Sequence, residues 1–175
     1  NVAIGHETLS TNNASNNTGL GHQALIANTT GTSNTATGYR ALFSNTTANR
    51  GTAVGYQAAY SSNNGDMVAL GYRAAYSTTS GSANVAIGSD ALYSNTTASN
   101  NVAVGYQSLY TNTTGNLNTA VGYQASYFGT TGNSNVSLGH SALYENVSGN
   151  FNTAVGRQSL QSNTASNNTG VGYRA

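Results

Sequence analysis

A glycine returns eleven times along the chain, at Gly5, Gly21, Gly38, Gly55, Gly71, Gly88, Gly105, Gly122, Gly139, Gly156 and Gly172, and every interval is sixteen or seventeen residues. Each sits in one recurring phrase, as in Asn101 to Tyr110 (NVAVGYQSLY) and Asn118 to Tyr127 (NTAVGYQASY), so the chain is a short unit copied about ten times. A period this short lies below that of any helical-hairpin repeat and predicts an all-β fold, a β-solenoid or parallel β-roll whose coils contact only their neighbours. The coils run 1–16, 17–33, 34–50, 51–66, 67–83, 84–100, 101–117, 118–134, 135–151 and 152–167, with a partial coil over 168–175, as a single array. Function in such a chain belongs to columns of repeated residues.

Counting each coil from its first residue, the second position is always Val or Thr. The third is small: Ala in eight coils, otherwise Gly19, Ser137 and Gly170. The fourth is aliphatic except at Thr37. This alternation of large and small predicts a short strand. The glycine follows as a corner residue, where a side chain is excluded by backbone angle or close approach. A second short strand is predicted after it, typically Tyr-Gln-Ala-Leu-Tyr. Its ninth position is usually Leu (Leu9, Leu25, Leu42, Leu92, Leu109, Leu143, Leu160). Apolar parity shifts across the glycine, which implies a bend or bulge there. A polar segment such as Ser94 to Asn100 (SNTTASN) closes the coil with turn chemistry.

If the Val/Thr and aliphatic columns face the interior, the third column faces out, and Ala36, Ala53, Ala69, Ala86, Ala103, Ala120 and Ala154 form a smooth stripe. We read that stripe as an oligomer interface, against the alternative that small residues keep a flat exposed face soluble. A single coil cannot fold alone. Its few core side chains gain on the order of 2 kcal/mol each, whereas ordering each residue costs about 1 kcal/mol or more. Stacking at about 4.8 Å per coil repairs this and predicts a rod roughly 50 Å long. Proline, which would interrupt the ladder, is absent. Neither end carries a capping sequence, so the array is expected to continue or copies to polymerise end to end.

Charged residues are only 5% of the chain, against roughly 25% in an ordinary globular protein. A net charge of +1 argues against a nucleic-acid partner, and five arginines without lysine make no polybasic membrane patch. No run approaches a membrane span. Strict columns of Val, Ile, Leu and Tyr argue against disorder. Cysteine is absent, which removes disulfides, thiol chemistry and Cys-based zinc sites.

All twelve tyrosines fall in two columns, the sixth (Tyr39, Tyr56, Tyr72, Tyr106, Tyr123, Tyr173) and the tenth (Tyr60, Tyr76, Tyr93, Tyr110, Tyr127, Tyr144). Such ladders either stack on sugar rings or stabilise successive coils and subunit seams. His6, His22 and His140 substitute in the sixth column, and no third ligand recurs beside His6 and His22, so no metal site is expected. Glu7, Asp66, Asp90 and Glu145 scatter over different coils and offer no carboxylate pair. The serines lack a recurring His and Asp. Gly19-Leu20-Gly21 is a variant of the core phrase, not a phosphate loop. No catalytic constellation emerges, and neither enzyme activity nor a cofactor is expected.

Asn-x-Ser/Thr sequons recur in the loop, at Asn28, Asn45, Asn95, Asn112 and Asn146 among others. In a eukaryotic secretory protein they would be acceptors on exposed loops, and in a bacterial or phage fibre they would serve as turn residues. Thr-Thr pairs (Thr29-Thr30, Thr46-Thr47, Thr96-Thr97, Thr113-Thr114, Thr130-Thr131) raise an ice-binding reading, although neighbours on a strand point to opposite faces.

The phrases Asn84 to Gly88 (NVAIG), Asn101 to Gly105 (NVAVG) and Asn118 to Gly122 (NTAVG) resemble the head repeat of trimeric autotransporter adhesins, the YadA-like heads. Asn118 to Ala125 (NTAVGYQA) is also similar to repeats of phage tail fibres and other surface fibres. The resemblance covers essentially the whole chain and implies a left-handed β-roll, commonly trimeric, displayed outside the cell as an adhesive shaft or head. This unit is longer than the usual head repeat because of its Ser-Asn-Thr-Thr-Gly loop. The expected protein is therefore a structural fibre or filament segment, extracellular, on a cell surface or on a virion. Self-association is expected, as a trimer or an end-to-end filament. Two alternatives stand beside it: a tail fibre or adhesin head that binds surface glycans, and an ice-binding solenoid.

Overall fold

The computed structural model describes residues 1–175. Every coil contributes one three-residue strand: β1 (Val2–Ile4), β2 (Thr18–Leu20), β3 (Thr35–Thr37), β4 (Thr52–Val54), β5 (Val68–Leu70), β6 (Val85–Ile87), β7 (Val102–Val104), β8 (Thr119–Val121), β9 (Val136–Leu138), β10 (Thr153–Val155) and β11 (Thr169–Val171). They pair in sequence order as one eleven-stranded parallel sheet. Register is column on column, with Val102 beside Thr119, Ala103 beside Ala120 and Val104 beside Val121. The same register holds across a sixteen-residue coil, where Thr52 lies beside Val68, so the missing residue is absorbed in the loop. There is no helix. The chain is a β-solenoid repeat protein, as the glycine period predicts.

The glycine corner is steric as well as conformational. Gly105 has φ +124°, and a Cβ there would lie 2.7 Å from the carbonyl carbon of Gly122 and closer still to its oxygen. Each such glycine therefore lets the backbone of the next coil settle directly onto it.

The second predicted strand is not a strand. The segment after the glycine is a run of turns in which the seventh and ninth residues take left-handed backbone angles, as in Gln107 (φ 52°) and Leu109 (φ 48°), and a third such residue, Leu117 (φ 61°), ends the coil. A backbone that alternates hand has a two-residue period of its own, which is why the sequence imitates a strand. Its amides still bond between coils. Gln107 N–H donates to the Ser89 carbonyl at 3.0 Å on one side, and Leu109 N–H donates to Ala125 at 3.0 Å on the other. Each left-handed non-glycine residue costs roughly 1–2 kcal/mol. The stack pins these residues by satisfying their amides in both directions.

The inside and outside of the strand are also the reverse of the sequence expectation. Ala36, Ala53, Ala69, Ala86, Ala103, Ala120 and Ala154 are all 0% exposed and line the interior, so they cannot be an oligomer stripe. The reason is volume. A Cβ built on Gly170 of the third column would lie 2.8 Å from the Leu160 Cγ, showing that the third column abuts the ninth-column leucine of the preceding coil. The coil is too narrow to hold two large side chains at one level, so Ala faces Leu. In the middle of the rod the ninth column shrinks to Ala59 and Ala75, and Met67, 1% exposed in the first column, fills the space instead.

Asparagine supplies the rest of the interior. In the first column, Asn17 N–H donates to Asn1 Oδ1 at 2.8 Å, Asn34 N–H to Asn17 Oδ1 at 2.9 Å, and Asn118 N–H to Asn101 Oδ1 at 2.9 Å. In the twelfth column, Asn28 Nδ2 donates to Asn12 Oδ1 at 2.5 Å and Asn45 Nδ2 to Asn28 Oδ1 at 2.9 Å. The two columns converge: Asn17 Nδ2 and Asn28 Nδ2 donate to the same carbonyl, Gly31 O, at 2.7 and 2.9 Å. Asn135 and Asn146 repeat the arrangement on Gly149 O at 2.8 and 3.0 Å. A buried amide is tolerated when its donors and acceptor are paired, and stacking identical coils pairs nearly all of these.

Candidate functional site: an exposed sheet face and two aromatic ladders

With alanine inside, the second and fourth columns project to solvent along the length of the sheet. Val54, Val121 and Leu138 are 36–39% exposed, and at the ends Val2, Ile4 and Val171 reach 50–69%. The sequence reading missed this face because it gave the interior to the larger side chains. The visible signal against that reading was the frequent Thr of the second column, an unlikely partner for Leu in a dry core.

Beside the sheet face runs the sixth column. His6 stacks on His22 at 5.2 Å between ring centroids, His22 on Tyr39 at 5.3 Å, Tyr39 on Tyr56 at 5.1 Å and Tyr56 on Tyr72 at 5.3 Å. The ladder stops at Ser89 and resumes with Tyr106 on Tyr123 at 5.3 Å and Tyr123 on His140 at 4.9 Å. Tyr56, Tyr72, Tyr106 and Tyr123 are 43–47% exposed. The tenth column is half-buried and unbroken from Phe43 through Tyr60, Tyr76, Tyr93, Tyr110 and Tyr127 to Tyr144, with centroid distances of 4.9–5.3 Å. Burial, reinforced by neighbouring phenols, pushes the Tyr76, Tyr110 and Tyr127 hydroxyls above their ordinary pKa.

The stacking changes what the tyrosines can do. A ring inside a ladder has both faces covered by its neighbours and offers solvent only its edge and hydroxyl. Face-on sugar stacking is therefore confined to the ends of each run.

Between the ladders lies a polar seventh column that also bonds coil to coil. Gln23 Nε2 donates to Glu7 Oε2 at 2.6 Å, Arg40 Nε to Gln23 Oε1 at 2.7 Å and Gln124 Nε2 to Gln107 Oε1 at 2.9 Å. Its one buried carboxylate, Asp90, accepts from Arg73 Nε at 3.1 Å. Arg50 and Asp66 pair at the coil ends on the loop side, Nη2 to Oδ2 at 2.7 Å, which holds the Asp66 carboxyl below its usual range. They border an open polar cleft of about 340 Å³ with Asn49, Asn63, Asn64 and Ser82. No three His, Cys, Asp or Glu side chains come together as metal ligands.

The twelfth-column sequons are closed off inside the folded rod, whereas those at Asn13, Asn16 and Asn167 are exposed. Asn28, Asn45, Asn95, Asn112 and Asn146 are 0–2% exposed, and their amide nitrogens are held by interior carbonyls. This corrects the exposed-loop reading: the loop folds its first Asn inward to close the coil. The following threonine is also engaged, Thr113 Oγ1 donating to Thr130 O at 3.2 Å and Thr130 Oγ1 to Val147 O at 2.9 Å. Its hydroxyl is directed along the rod and not held out to water. No protein-family model, curated protein or solved structure matches this chain.

Proposed function

We propose that this chain is a rod segment of a structural fibre displayed outside the cell or on a virion. Its role is reach and surface presentation, without catalysis, and it associates with further copies of itself through the outer face of the sheet. The observation that carries this is the second and fourth columns, an uncharged strip of Val, Ile, Leu and Thr in one register from β1 to β11. Eleven coils at about 4.8 Å make a face roughly 50 Å long. With the sixth column beside it, about 15 Å wide, it offers on the order of 750 Å² per copy, close to the roughly 800 Å² per partner of a standard interface. A second copy is the natural occupant, because a long flat strip of uniform repeat matches another of equal pitch. The likeness of NVAIG and NVAVG to trimeric adhesin heads supports the same reading.

Sedimentation of the wild type against Ile87→Lys/Val104→Lys tests this. We expect an oligomer in the wild type and a folded monomer in the variant. A monomeric wild type at tens of micromolar, or an unchanged oligomer in the variant, overturns self-association through this face. A second, adhesive reading is favoured by the half-exposed tyrosines of the sixth column, and binding to a glycan array that is lost on Tyr72→Ala/Tyr106→Ala would support it. The ice-binding reading draws least support: only β3, Thr35-Ala36-Thr37, presents two outward threonines on one strand.

A further inference from the structure

The sixth column has two non-aromatic interior positions, and they behave differently. Arg157 follows His140, and its guanidinium reaches over the ring of Tyr173 at 5.8 Å, so the long side chain partly replaces a missing ring. Ser89 follows Tyr72, and its side chain is far too short to do so. The backbone does not relax to close the gap. Asp90 N–H donates to Tyr72 O at 2.9 Å and Gln107 N–H to Ser89 O at 3.0 Å, the same pattern as in every other coil. Tyr72 is covered on one face by Tyr56, and Tyr106 on one face by Tyr123. Their other faces look toward each other across a rung that holds no ring and that the Arg73 guanidinium enters, 4.7 Å from the Tyr72 ring centroid. Two rungs at about 4.8 Å separate these walls by roughly 10 Å.

We propose that this gap is a binding slot for a single hexopyranose ring, the terminal sugar of a surface glycan, inserted between Tyr72 and Tyr106 in place of the missing aromatic. A ring at mid-gap lies about 5 Å from each wall, matching the 4.9–5.3 Å at which the ladder's own rings stack. A pyranose suits that spacing better than a flat aromatic because its axial C–H bonds project from both faces and meet the electron-rich ring faces. The floor is polar. The Ser89 hydroxyl donates to Asp90 Oδ2 at 3.5 Å. The Asp90 carboxylate is buried and anchors Arg73 at 3.1 Å. The Arg73 guanidinium packs 4.7 Å from the Tyr72 ring centroid and 4.9 Å from that of Tyr93. Hydroxyl, carboxylate and guanidinium thus line one side of a slot whose two walls are apolar, the mixture that sugar recognition needs.

This inference rests on the adhesive reading above and can fail separately from it. The probes are methyl β-galactoside, methyl β-glucoside and, as a flat aromatic, indole, followed by saturation-transfer NMR and tyrosine fluorescence. The wild type is expected to bind at least one glycoside saturably, in the millimolar range typical of one stacked ring. Ser89→Tyr, which completes the ladder, should weaken that binding about ten-fold or more while the circular dichroism spectrum stays unchanged and thermal stability is equal or higher. Tyr39→Ala, remote from the gap, should leave binding intact. Glycoside binding that survives Ser89→Tyr overturns the slot and moves the adhesive site elsewhere on the rod. Binding of indole alone overturns the sugar assignment. A wild type that binds neither glycoside overturns the slot, and a blank glycan array beside it removes the adhesive reading as well.

Discussion

Ser126 and Ser137 meet inside the rod, Oγ to Oγ at 3.1 Å, at the level where serine stands in the ninth column in place of Leu and in the third column in place of Ala. Each is buried. The pair shows that the two columns are read together: a polar change on one wall of the coil is matched on the other. A small void of about 10 Å³ lies against Ser126 and Gly129, where bulkier residues stand in other coils.

Restoring the common pair by Ser126→Leu/Ser137→Ala should fill that void and raise unfolding stability by about 1–2 kcal/mol. Ser137→Ala alone should lower it by about 1 kcal/mol, because the Ser126 hydroxyl is left buried without this partner. A double-mutant cycle in denaturant gives the coupling, and additive effects would show that the columns are independent.

Gly105→Ala is expected to be nearly as damaging as Gly105→Val. The obstacle is the Cβ itself, aimed at the Gly122 carbonyl, together with φ +124°. A loss of at least about 3 kcal/mol is anticipated from the strained angle and the clash combined. At Gly172 the same Cβ would meet only the Ala175 Cβ at 3.8 Å, so Gly172→Ala should cost distinctly less. Equal losses at the two sites would remove the contact between coils as the cause.

The ladder phenols give the rod an alkaline limit. Tyr76, Tyr110 and Tyr127 hold their protons more tightly folded than unfolded. Below the unfolded tyrosine pKa of about 10 both states are protonated and the full stability is present. Above it the unfolded state loses protons first, so stability falls as pH rises through the folded values. Melting curves should be flat from about pH 7 to 9 and fall beyond about pH 10. The triple variant Tyr76→Phe/Tyr110→Phe/Tyr127→Phe should flatten part of that fall.

Leu117 is 59% exposed and carries a left-handed angle of φ 61° at the coil end, where other coils place Asn16, Asn100 and Asn167. Asparagine accepts that region more readily than a branched apolar residue. Leu117→Asn should therefore raise stability by about 0.5–1 kcal/mol, measured as a shift in thermal midpoint.

The β-solenoid, the spacing of its strands, the glycine corner and the aromatic columns were legible in the sequence because each is a strict repeat with one physical meaning. The facing of the strand was not. Alternation shows that Ala103 and Val104 point to opposite sides, but which side is interior depends on how narrow the coil closes, a tertiary fact settled by Leu109 across from the third column. The second strand failed for a related reason: residues such as Gln107 and Leu109 alternate backbone hand, and a period of two does not distinguish that from a pleat. The role of Asn17 and Asn28 was hidden because asparagine in a loop ordinarily signals a turn, and only the closing of the coil on itself brings both amides to one carbonyl. The gap at Ser89 was readable as an exception in its column, yet its meaning needed rings already known to lie face to face.

The loop that gives up one residue in the sixteen-residue coils without disturbing the strands makes the rod tolerant of a particular kind of genetic accident. Unequal recombination between similar repeats adds or removes whole coils and leaves every surviving column in register. Copy number therefore works as a ruler: the length of the rod can change by about 4.8 Å per repeat while the face it presents stays the same.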